Sequence, residues 1–289
     1  MTWEETIQHI RTLPEFSELV AKAYLDEDLM FNVQRFAQSE EFEETLRLIK
    51  LHVPEAKKVL DIGAGNGISA INFALLGYEV SAVEPDPSDT VGAGAIKKLK
   101  EYYHLSNIQI YETFAEEMPF HNASFDVVYA RQAMHHATDL NKFVNEAVRV
   151  LKPGGLLFTV RDHVIYDEKD KEWFLQEHPL HKYYGGENAY TVEQYRQAIV
   201  SAGAVIVKEL KYYDSVINYF PLSKKEKEAM HEQYLEKCRL RLREKIGIVA
   251  ESSFIFALYK WIKGIKPGKV YDEKKVPGRM YSFIAVREG

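Results

Sequence analysis

The chain has 289 residues, 46% of them hydrophobic and 28% charged, and a formal net charge of −6. That length supports one large domain or one domain with insertions, and the charge excludes a global basic field that would attract nucleic acid. The single cysteine, Cys238, excludes an internal disulfide, and no stretch reaches the roughly 18 apolar residues of a membrane span.

Glu4 and Glu5 stand where a secretory signal would be basic, so a cytoplasmic location is expected. Residues 1–54 read as a helical cap. In "FEETLRLIKL", Phe42, Leu46 and Ile49 recur at helical spacing, and Pro54 ends the run. From 55 the pattern changes to short apolar runs alternating with helical stretches. The strands expected are "KVLDIG" (58–63), "EVSAVE" (79–84), "NIQIYET" (107–113), "FDVVYA" (125–130) and "GLLFTV" (155–160), all rich in Val, Ile, Tyr or Phe. The helices between them start near Gly67, near 88 and at Asp139. Gly77 closes the first of these, and Pro153-Gly154 closes the third. Such alternation predicts a parallel sheet with helices on both faces.

Residues 163–190 break this rhythm. They hold three histidines, four tyrosines, Trp173 and Gly185-Gly186, and they read as a long irregular lid-like loop. "TVEQ" (191–194) has the form of a capping box and opens a further helix that Gly203 closes. "AVIVKELKYY" (204–213) reads as a sixth strand. "RMYSFIAVR" (279–287) reads as a last strand pairing antiparallel beside it. Residues 222–268 form a helical insertion between 55–221 and 269–289, the two parts of the core. Its Lys/Arg-rich helix is interleaved with Glu226, Glu228, Glu232, Glu236 and Glu244, which describes a solvated face. "SSFIFALYKWIK" (252–263) reads as core or pocket cover, or as a lipid-facing or homodimer surface.

"VLDIGAGNGI" (59–68) carries the chemistry. Gly63 and Gly65 fit the start of the dinucleotide fingerprint, but Ile68 stands where its last glycine belongs. Asn66-Gly67-Ile68 also lacks the Gly-Lys-Ser/Thr ending of a phosphate-binding loop. What remains is a turn of Gly63, Ala64, Gly65 and Gly67 that lets backbone approach a ligand, with Glu84 ending the next strand. A carboxylate there can accept two hydrogen bonds from a ribose diol, so the pattern suits a nucleoside without a pyrophosphate.

With these pieces in order, the chain resembles the class I S-adenosylmethionine-dependent methyltransferases, in particular the branch acting on small molecules. The resemblance covers about 55–162. It rests on "VLDIGAGNG", "VEPD" (83–86), "AEEMPFHNASFDVVYA" (115–130), "MHHATD" (134–139) and "VLKPGGLL" (150–157). It implies a Rossmann-like α/β fold: seven mostly parallel strands, helices on both faces and an antiparallel last strand. It implies S-adenosyl-L-methionine as cofactor. The glycines would face its methionine and ribose portions, Asp61 would support the loop and the ammonium, and Glu84 would take the ribose hydroxyls. Ala115 and Glu116 would contact adenine, and the backbone at Arg131 would meet the methionine amine. Phe114 stands where many relatives place an Asp for the adenine amino group.

An activated methyl needs mostly positioning and desolvation, and some acceptors also need a base. His136 and His163 are the residues expected for that base or for a substrate anchor, and His181, Tyr183 and Tyr184 for the substrate pocket. His135-His136 could form a metal pair, but adjacent loop residues rarely point to one ion, so no metal is expected. The function expected is methyl transfer to a small molecule. The alternatives are a macromolecular acceptor, RNA or protein, and a cofactor-binding protein without catalysis.

Overall fold

A computed structural model describes residues 1–219, 222–270 and 276–289. Four helices come first: α1 (Trp3–Arg11), α2 (Ser17–Lys22), α3 (Leu29–Ala37) and α4 (Glu40–His52). The alternating body then runs β1 (Lys58–Ile62), α5 (Ile68–Leu75), β2 (Glu79–Val83), α6 (Ala93–Tyr102), β3 (Ile108–Tyr111), β4 (Phe125–Arg131), α7 (Leu140–Val150) and β5 (Leu151–Ile165). It is followed by α8 (Glu168–Glu177), α9 (His181–Tyr184), β6 (Tyr190–Thr191), α10 (Val192–Ser201), β7 (Ala204–Leu210) and α11 (Val216–Tyr219). The chain ends with α12 (Lys224–Ile246), α13 (Ser253–Ile262) and β8 (Arg279–Arg287).

The caps explain the helix starts. Asp139 accepts from the Lys142 amide at the head of α7, and Thr191 and Gln194 form a reciprocal capping box on α10. The expected helix from 88 to 104 is shorter, beginning at Ala93 behind a loop that holds Asp86, Ser88 and Asp89.

The strands lie in the order β3-β2-β1-β4-β5-β8-β7, with β6 paired to the far end of β5. The pairs β1–β2, β1–β4, β2–β3 and β4–β5 are parallel, whereas β8 is wedged between β5 and β7 and runs antiparallel to both. The expected seven strands are therefore present, and the two-residue β6 adds an eighth. Strand order reverses between β1 and β4, which opens a crevice at their carboxyl ends, where open α/β sheets bind ligands. The central strands are buried on both faces, so they read as continuous Val/Ile/Leu/Phe runs.

The irregular loop expected over 163–190 is corrected. Residues 163–165 continue β5, and α8 and α9 occupy much of the remainder. β5 runs to Ile165 because β8 and β6 supply ladder partners for it beyond β4. An apolar cluster of Ile7, Ile10, Val20, Leu25, Val91 and Leu180 joins α1 and α2 to this segment, so the chain's beginning covers the sheet edge together with α9. Glu41 of α4 is fully buried and holds Arg131 at the end of β4 by two hydrogen bonds, 2.7 and 3.1 Å. Helices α12 and α13 pack on each other through Cys238, Leu242, Ala250 and Phe256. Phe254, Leu258, Trp261 and Ile262, spaced i, i+4, i+7 and i+8, form an exposed stripe on α13. The expected boundary at 221 lies outside the described residues.

Candidate active site at the carboxyl edge

The glycine turn sits at the end of β1, pinned by the Gly63 and Ala64 amides, which donate to the Val83 carbonyl at 2.9 and 3.1 Å. Gly63 has φ +66°, and a Cβ there would stand 2.6 Å from the Cβ of Ala133, so only glycine lets the turn close against the segment after β4. Gly65 has φ +54° and open space where a Cβ would be, nothing lying nearer than 3.9 Å. Its amide donates to Glu84 at 2.7 Å, and the other carboxylate oxygen of Glu84 accepts from the Asp86 amide at 3.0 Å. Gly67 caps α5 in the left-handed region.

Two carboxyl groups are buried here. Desolvation raises Glu84 to about 7, against the pull of the Asp86 and Gly65 amides. Desolvation and the nearby charge of Glu84 raise Asp61 to about 8, while Arg131 opposes the shift. Asp61 Oδ2 is buried without a hydrogen-bond partner among the described residues. A buried acceptor of that kind wants a donor. The open face of Gly65, the unused acceptor on Asp61 and the carboxylate of Glu84 together fit a ligand with hydroxyls and an ammonium, as S-adenosylmethionine has.

Ala115 is buried in the core, and the Glu116 side chain accepts from the Thr138 amide at 3.2 Å. Phe114 is exposed, and a groove of about 690 Å³ runs over Phe114, Glu116, Met118, Thr138 and Lys142. This groove flanks the Ala115-Glu116 segment and reaches no residue of the glycine turn. The Arg131 side chain turns away into its pair with Glu41, so only its backbone is free for a ligand.

A second cluster occupies the ends of β4 and β5. A bulge between Thr159 and Asp162 interrupts the β5–β8 ladder, with Arg161 at φ +61°. The bulge turns Asp162 toward the chain after β4. There Asp162 Oδ1 accepts from the His135 amide at 3.0 Å and from His135 Nδ1 at 3.1 Å. Glu187, brought in after α9, lies between three imidazoles. Its Oε2 is 3.5 Å from His135 Nε2 and 3.8 Å from His136 Nδ1, and its Oε1 is 3.7 Å from His178 Nε2. Burial disfavours the charge on His135, but Asp162 and Glu187 outweigh it and raise the ring to about 9. Desolvation and the adjacent His135 hold His136 low. Desolvation disfavours the charged Glu187, and the surrounding histidines more than reverse it, holding the carboxyl well below its usual range.

Several expectations change here. His163 is not a loop residue open to substrate. It is a buried strand residue whose Nδ1 donates to the Gly278 carbonyl at 2.6 Å, packed between Phe174 and His135. Burial holds it well below the usual range. His136 keeps 41% of its side chain exposed at the cluster's rim. The rings of His135 and His136 lie 4.1 Å apart on a tight 3-10 turn. Tyr183 leaves the site and packs on His9 and Phe16 of the cover. Tyr184 packs against Trp3 as a tilted ring pair with centroids 5.4 Å apart, and burial, then the charges of Asp86, Glu84 and Glu187, push its hydroxyl up. His181 lies close enough to His178 for their charges to interact. The sequence singled out His135 only as half of a possible pair with His136, and assigned no role to Asp162, His178 or Glu187. The signals available were the Asp-His pair ending the fifth strand and the charged residue after Gly185-Gly186.

A family model described as a methyltransferase domain matches residues 60–159. The uncharacterized methyltransferase YcgJ of Bacillus subtilis is 34% identical over 113 residues, 37% of this chain and 40% of YcgJ. The sterol 4-C-methyltransferase strm-1 of Caenorhabditis elegans is 27% identical over 188 residues, 61% of this chain and 55% of that protein. The chain thus spans only about half or less of these relatives' lengths. The crystal structure of YcgJ superposes with a TM-score of 0.53 at 20% identity, covering 86% of this chain and 99% of YcgJ. That of geranyl diphosphate C-methyltransferase from Streptomyces coelicolor, with Mg2+, geranyl diphosphate and S-adenosyl-L-homocysteine, gives 0.55 at 14% identity over 90% and 82% of the two chains. Residues 60–159 are a methyltransferase domain, and the sheet that carries them has the fold of these solved methyltransferase structures.

Proposed function

We propose that the chain transfers a methyl group from S-adenosylmethionine to a small-molecule acceptor held at the histidine cluster. The observation that carries this reading is the close approach of Gly63 to Ala133, where a Cβ on Gly63 would stand 2.6 Å from the Ala133 side chain, two residues before His135. The glycine turn therefore lies against the segment that carries His135 and His136. When bound, S-adenosylmethionine supplies a methyl group already activated on a sulfonium.

The chain's own residues hold and align. The turn from Gly63 through Ala64 and Gly65 to Gly67 brings backbone to the methionine and ribose portions, and Asp61 takes the ammonium. Glu84 accepts from the ribose hydroxyls. Ala115 and Glu116 border the adenine, and the backbone of Arg131 faces the amine. Helices α1 and α9 exclude water from the space between, which favours in-line attack by a positioned acceptor. His136, the exposed member of the cluster, anchors the acceptor, with His181 and Tyr184 at the pocket wall. His163 braces His135 from behind as a positioning residue.

In this reading residues 1–54 are a cap and 222–268 an insertion. No helix among the described residues is long and apolar enough to cross a membrane. The single cysteine supports a reducing, cytoplasmic setting. The net negative charge favours a small acceptor over nucleic acid.

Calorimetry with S-adenosylhomocysteine, followed by a screen of small acceptors with S-adenosylmethionine read by S-adenosylhomocysteine release, tests the proposal. One-to-one binding and turnover of a small acceptor are expected. Wild-type protein that binds no S-adenosylhomocysteine at high micromolar concentration overturns it.

A further inference from the structure

We propose that His135, His136 and Glu187 bind a divalent transition-metal ion of the zinc class, which receives an oxygen of the acceptor. The donor atoms of these three residues lie within 4.8 Å of one another. Their spacing is informative. The gaps from Glu187 Oε2 to His135 Nε2 and to His136 Nδ1, 3.5 and 3.8 Å, lie at or beyond the limit of a hydrogen bond. Glu187 Oε2 is in fact buried without a hydrogen bond among the described residues. Two donors that share an ion at metal–ligand distances near 2.1 Å and a tetrahedral angle sit about 3.4 Å apart. The two gaps to Glu187 are close to that separation, and the two imidazole nitrogens lie within 4.8 Å of each other, so an ion satisfies Oε2 once the exposed His136 ring closes on it. His136 Nδ1 would exchange its long 3.3 Å contact with the Gly186 carbonyl for the metal.

The surroundings support the same reading. A metal-binding imidazole usually donates its other N–H to a carboxylate or carbonyl, which fixes the ring and its tautomer. His135 does so: Nδ1 faces Asp162, leaving the Nε2 lone pair directed to Glu187. Charge also balances. Asp162 and Glu187 bring two buried carboxylates to His135, and a dication that displaces the His135 proton cancels both charges. Two imidazole nitrogens and one carboxylate oxygen suit zinc, cobalt or nickel better than magnesium or calcium, which prefer all-oxygen sets. Three protein ligands leave a position open, and the exposed flank of His136 places the site within reach of solutes. An acceptor with a hydroxyl, enol or carboxylate oxygen would take that position. This last step rests on the proposed methyl transfer, while the metal site itself does not.

Cobalt(II) tests the site because its visible absorption reports nitrogen ligation and low coordination number. Full-length protein is dialysed against chelator and titrated with Co2+ alone. One equivalent is expected to produce visible bands that one equivalent of Zn2+ abolishes. Glu187→Gln and His136→Gln should lose the bands, and His136→Gln is a partly exposed change that leaves the fold intact. His121→Gln, on an exposed loop, should keep them. Asp162→Asn should keep the bands but weaken binding by about 10- to 100-fold. Absence of bands in wild type, or their persistence in His136→Gln, overturns the site. Calorimetry with S-adenosylhomocysteine on the same samples reads the donor side separately, so failure of the metal site and failure of the methyltransferase reading remain distinct.

Discussion

The glycine turn and the histidine cluster lie on the same border of one sheet but are built by different means. At the turn, function is carried by backbone. Gly63, Gly65 and the amide of Asp86 are placed by a few consecutive residues after β1 and β2, and the side chains involved, Asp61 and Glu84, end those strands. At the cluster, function is carried by side chains from segments far apart in sequence: His135 after β4, Asp162 on the bulge in β5 and Glu187 after α9. A backbone site tolerates change around it but not within it. A side-chain site depends on every segment that delivers a ligand, so the two edges should respond differently to substitution.

The largest effect should fall beneath both. Arg131 joins β4 to α4 through Glu41, which is fully buried, so Arg131→Ala breaks a buried two-bond pair and leaves Glu41 only the longer 3.7 Å contact with Arg161. A loss of about 3–5 kcal/mol in urea unfolding is expected. A loss below about 1 kcal/mol would show that the pair is not the shared support. The next effect separates two glycines of one turn. Gly63→Ala adds a contact at 2.6 Å to Ala133 on top of a positive φ, and should cost about 2–4 kcal/mol. Gly65→Ala meets open space and should cost about 1–2 kcal/mol while still impairing donor binding. Equal losses at the two positions would refute the distinction between a packing glycine and a ligand-facing one.

This difference also explains what the sequence made legible. The sheet was readable because parallel strands buried on both faces are continuously apolar and glycines punctuate the helices between them. Glu84 and the turn were readable because their constraint is local, within about twenty-five residues. The cluster was not, because nothing in 131–136 indicates that a residue fifty positions later returns to it. His163 illustrates the difficulty. Its place at the end of a strand suggested access to substrate, but β5 runs on past β4, and β8 and Phe174 enclose the ring. The aromatics of 163–190 suggested a loop because their spacing is irregular, whereas the segment folds as short helices, α9 packing on α1 and α2 and α8 on the end of β5. Tertiary partners, not local propensity, decide both cases.

Glu84 offers a test confined to the first edge. Its carboxyl is raised from 4.5 to about 7, so the folded chain retains a proton there that the unfolded chain releases. Stability from this group is therefore present at low pH and is lost as pH rises from about 4.5 to 7. Ribose hydroxyls want the ionised form, so donor affinity should move the other way, falling by up to about tenfold per pH unit below 7. Calorimetry from pH 5.5 to 8.5 should show that slope in wild type and a shallower one in Glu84→Gln. At pH 7.5 the variant should bind S-adenosylhomocysteine roughly 10- to 100-fold more weakly, the value of a charge-assisted hydrogen bond. A pH-independent wild type would remove Glu84 from donor binding.

The smallest effect distinguishes two adjacent tyrosines where the edges meet. Tyr183 packs on His9 and Phe16 within the cover, so Tyr183→Phe keeps the ring contacts and should leave donor binding and turnover within about twofold. Tyr184 packs on Trp3 and keeps 44% of its surface exposed, so Tyr184→Phe removes a donor that the proposed substrate space would use. The loss of one hydrogen bond corresponds to roughly two- to tenfold, expected in the acceptor KM rather than in protein stability. Steady-state kinetics beside a melting curve separates the two. If Tyr184→Phe shifts only the melting temperature, Tyr184 belongs to the cover with Tyr183. If it shifts only KM, the two edges share one substrate space, and Tyr184 marks where the donor side ends and the acceptor side begins.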